Sequence, residues 1–203
     1  MKAIRCHTYG PPSSLVLESV PDLEPKENEV LVQVKACGIN FPDTLIIQGL
    51  YQIRPELPFT PGSDVAGVVL ALGEGVKHVS VGDAVIGFVA HGGLAEQVIL
   101  PAKACFPKPA PMDFPVAASF TMAYGTAYHA LKDRGNLQAG ETLLVLGASG
   151  GVGLAAVELG KRMGATVIAA ASTDEKLELC REYGADHLLN YNGTDLKLSL
   201  IHI

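Results

Sequence analysis

The chain contains no C-x-x-C, and its four cysteines (Cys6, Cys37, Cys105, Cys180) stand 31, 68 and 75 residues apart. That spacing excludes a zinc knuckle and a thioredoxin-like redox pair, and leaves reduced, mostly buried thiols as the expectation. Positive charge is not in excess either: a net charge of −6 argues against a broad nucleic-acid or anionic-membrane surface. No apolar run approaches the ~18 residues of a membrane span. The opening Met1 to Arg5 passes straight into strand-like sequence and reads as no secretory signal, so a cytoplasmic, membrane-free protein is expected. A nucleotide phosphate loop of the G-x-x-x-x-G-K-[ST] type is missing. The six histidines (His7, His78, His91, His129, His187, His202) show neither H-x-x-x-H nor H-E-x-x-H spacing.

What is present is 48% apolar, with 22 Gly and 13 Pro, the composition of a globular, loop-rich protein of one large or two modest domains. The organising stretch runs from Leu143 to Val157. Leu143 to Leu146 read as a fully buried strand, followed by Gly147, Ala148, Ser149, Gly150, Gly151, Val152 and Gly153 and then an amphipathic helix ending near Gly164. The pattern is A-x-G-x-x-G on Ala148, Gly150 and Gly153, with a second strand at 166–171 and a second helix beyond it. Strand, tight turn and helix N-terminus together make a site for a dinucleotide pyrophosphate, because the first-turn amides and the helix dipole both favour an anion. Gly150 would let phosphate approach the backbone, and Gly153 would let the helix pack on its strand. A purely structural glycine turn is the alternative.

Taken in order, residues 2–9, 15–20 and 29–36 read as strands separated by Gly- and Pro-rich turns. A short helical patch, 44–48, follows and is closed by Gly49. A strand over 63–73 carries a bulge at its internal glycine, and further strands lie at 84–89 and 95–100. The first ~110 residues are therefore an all-β module, a partly open barrel. From Pro115 the character changes: 116–131 reads as one helix. Strands at 142–147, 166–171 and 187–191 then alternate with helices as one parallel half of a doubly wound sheet. Arg162 and Arg181 stand in last helical turns, before the C′ glycines Gly164 and Gly184. Ser172 with Glu175 reads as the capping box of the helix over 173–183. The domains expected are 1–115 and 116–203. With only three parallel strands written, and an ending (198–203) that looks like no designed stop, a fragment of a longer protein is expected.

Several motifs jointly carry a resemblance. They are Gly38-x-Asn40-x-x-Asp43, Pro61-Gly-Ser-Asp-Val-Ala-Gly67, Thr126-Ala-Tyr128, the glycine turn 147–153, and Gly184-Ala-Asp-His-Leu-Leu-Asn-Tyr191. Over residues 1 to about 195 the chain resembles the quinone oxidoreductase (zeta-crystallin-like) branch of the medium-chain dehydrogenase/reductase superfamily. The resemblance implies an α/β plus β protein, with a GroES-like partly open barrel followed by an incomplete Rossmann-type doubly wound parallel sheet. Its zinc-containing members place Cys, His and Cys on a catalytic metal. The matching positions here are Asn40, Ser63 and Ala118, which cannot make a stable zinc site. Without a Lewis acid, quinones and related conjugated carbonyls become the natural acceptors.

For the cofactor, an acid at the end of the second strand would select NAD; Ala171 and Ser172 stand there instead, with Lys176 one helical turn on. The resemblance adds Tyr191 to Lys176 as holders of a 2′-phosphate, so NADPH is expected. It also implies Asn40, Asp43 and Tyr51 as catalytic candidates and Thr126 as a nicotinamide neighbour. From the residues alone, Asp43 reads equally as a turn and helix cap. Asp64 reads as holding a neighbouring loop. Tyr128-x-x-x-Lys132 imitates the pair of short-chain reductases but precedes the glycine turn, so Tyr128 reads as a packing residue and Lys132 as a helix end. The alternatives are a non-catalytic NADPH-binding protein, crystallin-like or RNA-binding, and an inactive fragment of the enzyme. Dimers are implied for the full-length protein.

Overall fold

The apolar run that begins at Glu29 becomes the longest strand among the described residues, β3 (Glu29–Gly38), in a computed structural model that describes residues 1–192. Its alternation breaks at one end: Val30, Leu31 and Val32 are all buried, because β3 is internal to its sheet and both faces are covered there. Around it, β4 (Asp64–Leu72), β5 (Ala84–Phe88), β6 (Gln97–Pro101) and β7 (Cys105–Pro107) form a curled antiparallel half-barrel in the order β6-β3-β4-β5-β7. A separate ribbon pairs β1 (Lys2–Arg5) with β2 (Val16–Ser19). The barrel core is built from Val30, Val32, Val65, Val69, Val85 and Leu100, each burial stabilising by about 1.5–3 kcal/mol. The bulge expected at the internal glycine of β4 lies elsewhere: one register shift leaves Leu70 of β4 unpaired, and the shift beside Gly67 leaves Lys35 of β3 unpaired instead. These elements belong to a compact unit, Met1–Met122; a second unit begins at Ala123.

The single helix read over 116–131 is broken. It forms α2 (Phe114–Ala118) and α3 (Phe120–Tyr128), the latter running into a π-helical turn, His129–Arg134. Asp113 caps α2 through the Val116 N–H at 2.9 Å. The Ser119 hydroxyl folds back onto the Val116 carbonyl at 3.0 Å, and Ser119 is the C-cap of α2, at φ −101°, ψ −1°. That local bonding competes with the helix ladder and ends it. Tyr128 is 47% exposed, so it is not the packing residue expected from the sequence.

In the second unit, β8 (Thr142–Leu146), α4 (Gly151–Arg162), β9 (Thr166–Ala171), α5 (Asp174–Glu182) and β10 (His187–Asn190) alternate, and the strands pair in parallel in the order β8-β9-β10. Central β9 is buried from Val167 to Ala171. By contrast β8 is not the fully buried strand expected: only Val145 is buried and Leu146 is 61% exposed. Among the described residues β8 pairs on one side alone, so its apolar side chains are only partly covered. Helices α4 and α5 both end ahead of a glycine of positive φ, Gly164 at 87° and Gly184 at 104°, as their sequences foretell.

One helix cap is corrected. Thr173, not Ser172, caps α5, its side chain accepting from the Lys176 N–H at 3.3 Å. The extended backbone of β9 carries on to Thr173 (φ −145°, ψ 154°), which starts the helix one residue later than expected and releases the Ser172 hydroxyl. The ending at 198–203, and with it His202, lies outside the described residues. Among those described, no helix is long and apolar enough to cross a membrane.

Candidate functional site

The glycine turn sits at a strand-to-helix junction. β8 ends at Leu146, Gly147 turns the chain with φ 63°, and Gly150 is the N-cap of the 12-residue α4, with no side chain bonding the cap. The three glycines divide their tasks. A Cβ on Gly153 would come within 2.4 Å of the Gly147 carbonyl oxygen and 2.9 Å of the Ala148 Cα, so this glycine is what lets α4 lie against the turn. A Cβ on Gly150 would meet only the Gly147 oxygen at 3.4 Å, and one on Gly151 would meet nothing within 4 Å. Packing therefore does not account for glycine at 150 or 151. Ala148 is fully buried; Ser149 and Gly153 are half-buried; Gly150, Gly151 and Val152 are exposed.

Because β8 and β9 run parallel, the end of β9 lies at the same sheet edge as the glycine turn. There Lys176 Nζ bonds the Ser172 hydroxyl at 3.1 Å. Tyr191, just past β10 and 42% exposed, donates its N–H to the Ala171 carbonyl at 3.2 Å. Asn192 donates to the Ser172 carbonyl at 3.0 Å. Asp174, the first acid after Ser172 in the chain, accepts from the Asn190 amide at 2.7 Å. The Ala148 and Gly150 N–H groups are spent on the Ala170 and Gly147 carbonyls, so what the turn offers is the first-turn amides of α4, which no side chain caps. With Ser172, Lys176 and Tyr191 at the same edge, the donor set suits a diphosphate and a further phosphate. Thr126 stands exposed on α3.

In the first unit the structure gathers Asn40, Asp43, Ser63 and Asp64. Asn40 is the N-cap of α1 (Phe41–Ile46), and its N–H donates to Asp43 Oδ2 at 2.8 Å. The Ser63 hydroxyl donates to Asp43 Oδ1 at 3.1 Å. With both oxygens bonded and 5% exposure, Asp43 braces this loop. Tyr51 packs on a different cluster, Cys6, Ile46, Ile47 and Phe59. Cys37, beside the same polar group, is pushed up to about 12 by burial and then by the negative charges of Asp43 and Asp64, so it stays a thiol at neutral pH. Of the three zinc-equivalent positions, Ser63 is bonded to Asp43, and Ala118 offers only a backbone carbonyl that crowds Gly38.

Asp64 is the residue that sequence reasoning undervalued. It is fully buried, its Oδ2 accepts the Met122 N–H at 2.9 Å, and so it does hold the neighbouring segment as expected. Burial pushes its carboxyl up to about 6, against the lowering pull of the Met122 N–H, the Thr121 hydroxyl and the Asn40 amide, and Asp43 raises it further. A charge opening the apolar run of β4 was the available signal. A carboxyl whose pKa is higher folded than unfolded stabilises fully below its ordinary value near 3.8, and that contribution is lost as pH rises through about 6. The difference in unfolding free energy between wild type and Asp64→Asn should therefore shift by about 2 kcal/mol against the wild type between pH 4 and 7.5. Denaturant midpoints at the two pH values measure it, and a pH-independent difference would show that the carboxyl titrates normally.

Comparison with known proteins adds the following. Residues 26–110 match the alcohol dehydrogenase GroES-like domain, and residues 151–201 match the zinc-binding dehydrogenase family. Quinone oxidoreductase-like protein 2 of Bos taurus is 43% identical over 184 residues, which cover 90% of this chain and 53% of that protein. The Escherichia coli quinone oxidoreductase, solved in complex with NADPH, superposes with a TM-score of 0.90 at 34% identity, over 100% of this chain and 63% of that one. A crystal structure of an NAD-dependent alcohol dehydrogenase gives a TM-score of 0.94 at 30% identity, over 100% of this chain and 67% of that one. The chain spans just over half the length of the curated relatives it matches.

Proposed function

The chain belongs to the quinone oxidoreductase branch of the medium-chain dehydrogenase/reductase superfamily, and from that membership we propose that the whole protein is a zinc-independent, NADPH-dependent oxidoreductase acting on quinones or related conjugated carbonyls. The observation that carries the reading is the shared sheet edge of the glycine turn and the Ser172–Lys176 pair. When bound, NADPH supplies the hydride. The amides opening α4, with the helix dipole behind them, would hold the diphosphate. Lys176, Ser172 and Tyr191 would hold the 2′-phosphate, and the lack of a carboxylate at Ala171 or Ser172 leaves nothing there to repel it. Asn40 and Tyr51 are assigned to the acceptor side, Asp43 fixes the loop that carries Asn40, and Thr126 is assigned to the nicotinamide side. Asn40, Ser63 and Ala118 supply no thiolate, imidazole or carboxylate, so the donor set does not fit zinc. The fold boundary near 115–122, a cytoplasmic location and a homodimer of the full-length protein complete the proposal.

The test is a dinucleotide titration of this chain together with NADPH oxidation by the full-length protein and a simple quinone. NADPH should bind at least tenfold more tightly than NADH, and turnover should survive a chelator. Preference for NADH, or activity lost to the chelator and restored by zinc, would overturn the reading. Tight NADPH binding with no acceptor turned over would favour a non-catalytic nucleotide-binding role.

A further inference from the structure

Tyr191 stands between two asparagines, and each reaches back across the end of β9. Asn190, the last residue of β10, donates from Nδ2 to Asp174 Oδ1 at 2.7 Å, and its Oδ1 accepts the Asn192 N–H at 3.0 Å. Asn192 in turn donates from its own Nδ2 to the Ser172 carbonyl at 3.0 Å. Between them, the Tyr191 N–H donates to the Ala171 carbonyl at 3.2 Å. The stretch after β10 is thereby tied to Ala171, to Ser172 and to the first residue of α5.

Both ends of the Asn190 amide are committed, and the partners fix which way it points. An ionised carboxylate only accepts and a backbone N–H only donates, so the NH2 faces Asp174 and the carbonyl faces Asn192. The bond to Asp174 is charge-assisted and the stronger of the two. Neither neighbouring element needs it. Strand β10 is already paired with β9 from His187 to Asn190, and α5 is already capped by Thr173. What the bridge does hold is the edge where a phosphate would sit. Ser172 is gripped by its carbonyl, while its hydroxyl accepts from Lys176 Nζ at 3.1 Å. Among the described residues this leaves the Ser172 O–H and the remaining ammonium N–H groups of Lys176 for a ligand. Tyr191 is 42% exposed, so its backbone and the asparagines beside it, more than packing around its ring, keep it at this edge.

We propose that Asn190 is a positioning residue of the 2′-phosphate site: by bridging Asp174 and the Asn192 N–H it locks the turn that keeps Tyr191 at the end of β9 with the Ser172–Lys176 pair. The proposal rests on the NADPH assignment made above. Its consequence is that Asn190 governs affinity for NADPH and not for NADH, which brings no phosphate to this edge.

Dinucleotide titrations of the full-length protein at low ionic strength test it. Asn190→Ala should raise the NADPH Kd about fivefold, the worth of one hydrogen bond, and move the NADH Kd by less than about twofold. Asn190→Asp sets a second carboxylate against Asp174 and should cost NADPH more, about twentyfold, again with NADH little changed. The double variant Asn190→Asp, Asp174→Asn exchanges amide and carboxylate at the same net charge. It can remake both bonds with the donor now on the helix side, so its NADPH Kd should return to within about twofold of wild type. An exchange that restores nothing, equal losses for NADPH and NADH in Asn190→Ala, or no loss there at all would overturn the bridge. The wild type separates this from the larger assignment. If it prefers NADPH and Asn190→Ala keeps that preference in full, only the bridge falls; if it binds NADH as tightly as NADPH, the NADPH reading falls and takes the bridge's role with it.

Discussion

Replacing Lys176 by glutamate is expected to weaken NADPH binding by more than a hundredfold while NADH binding changes by less than about threefold, so that the cofactor preference inverts. A charge-assisted bond to a phosphate contributes about 1.5–3 kcal/mol, which is roughly 10- to 150-fold in Kd, and a carboxylate in the same place adds repulsion. Lys176 is exposed and bonded to Ser172, so the effect should be largest at low ionic strength and fade with salt. Lys176→Met separates charge from packing: it should lose the favourable term without acquiring the unfavourable one, and fall between wild type and Lys176→Glu. Titrations with both dinucleotides at two salt concentrations measure this. Equal losses for NADPH and NADH would mean that Lys176 acts by holding the Ser172 turn and not by meeting a 2′-phosphate.

Gly153→Ala carries the second large effect, on stability. The added Cβ meets the Gly147 oxygen at 2.4 Å and the Ala148 Cα at 2.9 Å; both belong to the backbone of a turn and cannot swing aside as a side chain would. Overpacking of this kind costs about 3 kcal/mol, enough to lower the melting midpoint by several degrees and to raise hydrogen exchange along β8 and α4. Dinucleotide binding should go with it. Gly150→Ala gives the informative contrast, since its nearest neighbour would lie at 3.4 Å. The fold should tolerate that change within about 0.5 kcal/mol while NADPH binding weakens at least tenfold. If Gly150→Ala bound NADPH normally, the turn would be a structural junction and nothing more.

Much of this was legible because it is local. The order β8–α4–β9–α5–β10 follows from apolar runs and glycine punctuation, and the positive φ of Gly164 and Gly184 was foretold by their place after a basic last turn. The misreadings also have local causes. Ser172 and Thr173 are both good caps, and only the length of extended backbone after β9 decides between them. The run 116–131 has helical composition throughout, yet one serine hydroxyl bonding back to Val116 divides it.

By itself the sequence determined the family, the two kinds of sheet and the glycine turn, because periodicity and turn chemistry act over a few residues at a time. Tertiary structure alone decided that Asp43 braces a loop through the Asn40 N–H and the Ser63 hydroxyl, and that Asp64 is buried with one oxygen on Met122. Those carboxylates lie far apart in the chain from some of the groups they bond. Desolvation and hydrogen-bond geometry set their roles, and both exist only once β3, β4 and α1 have come together.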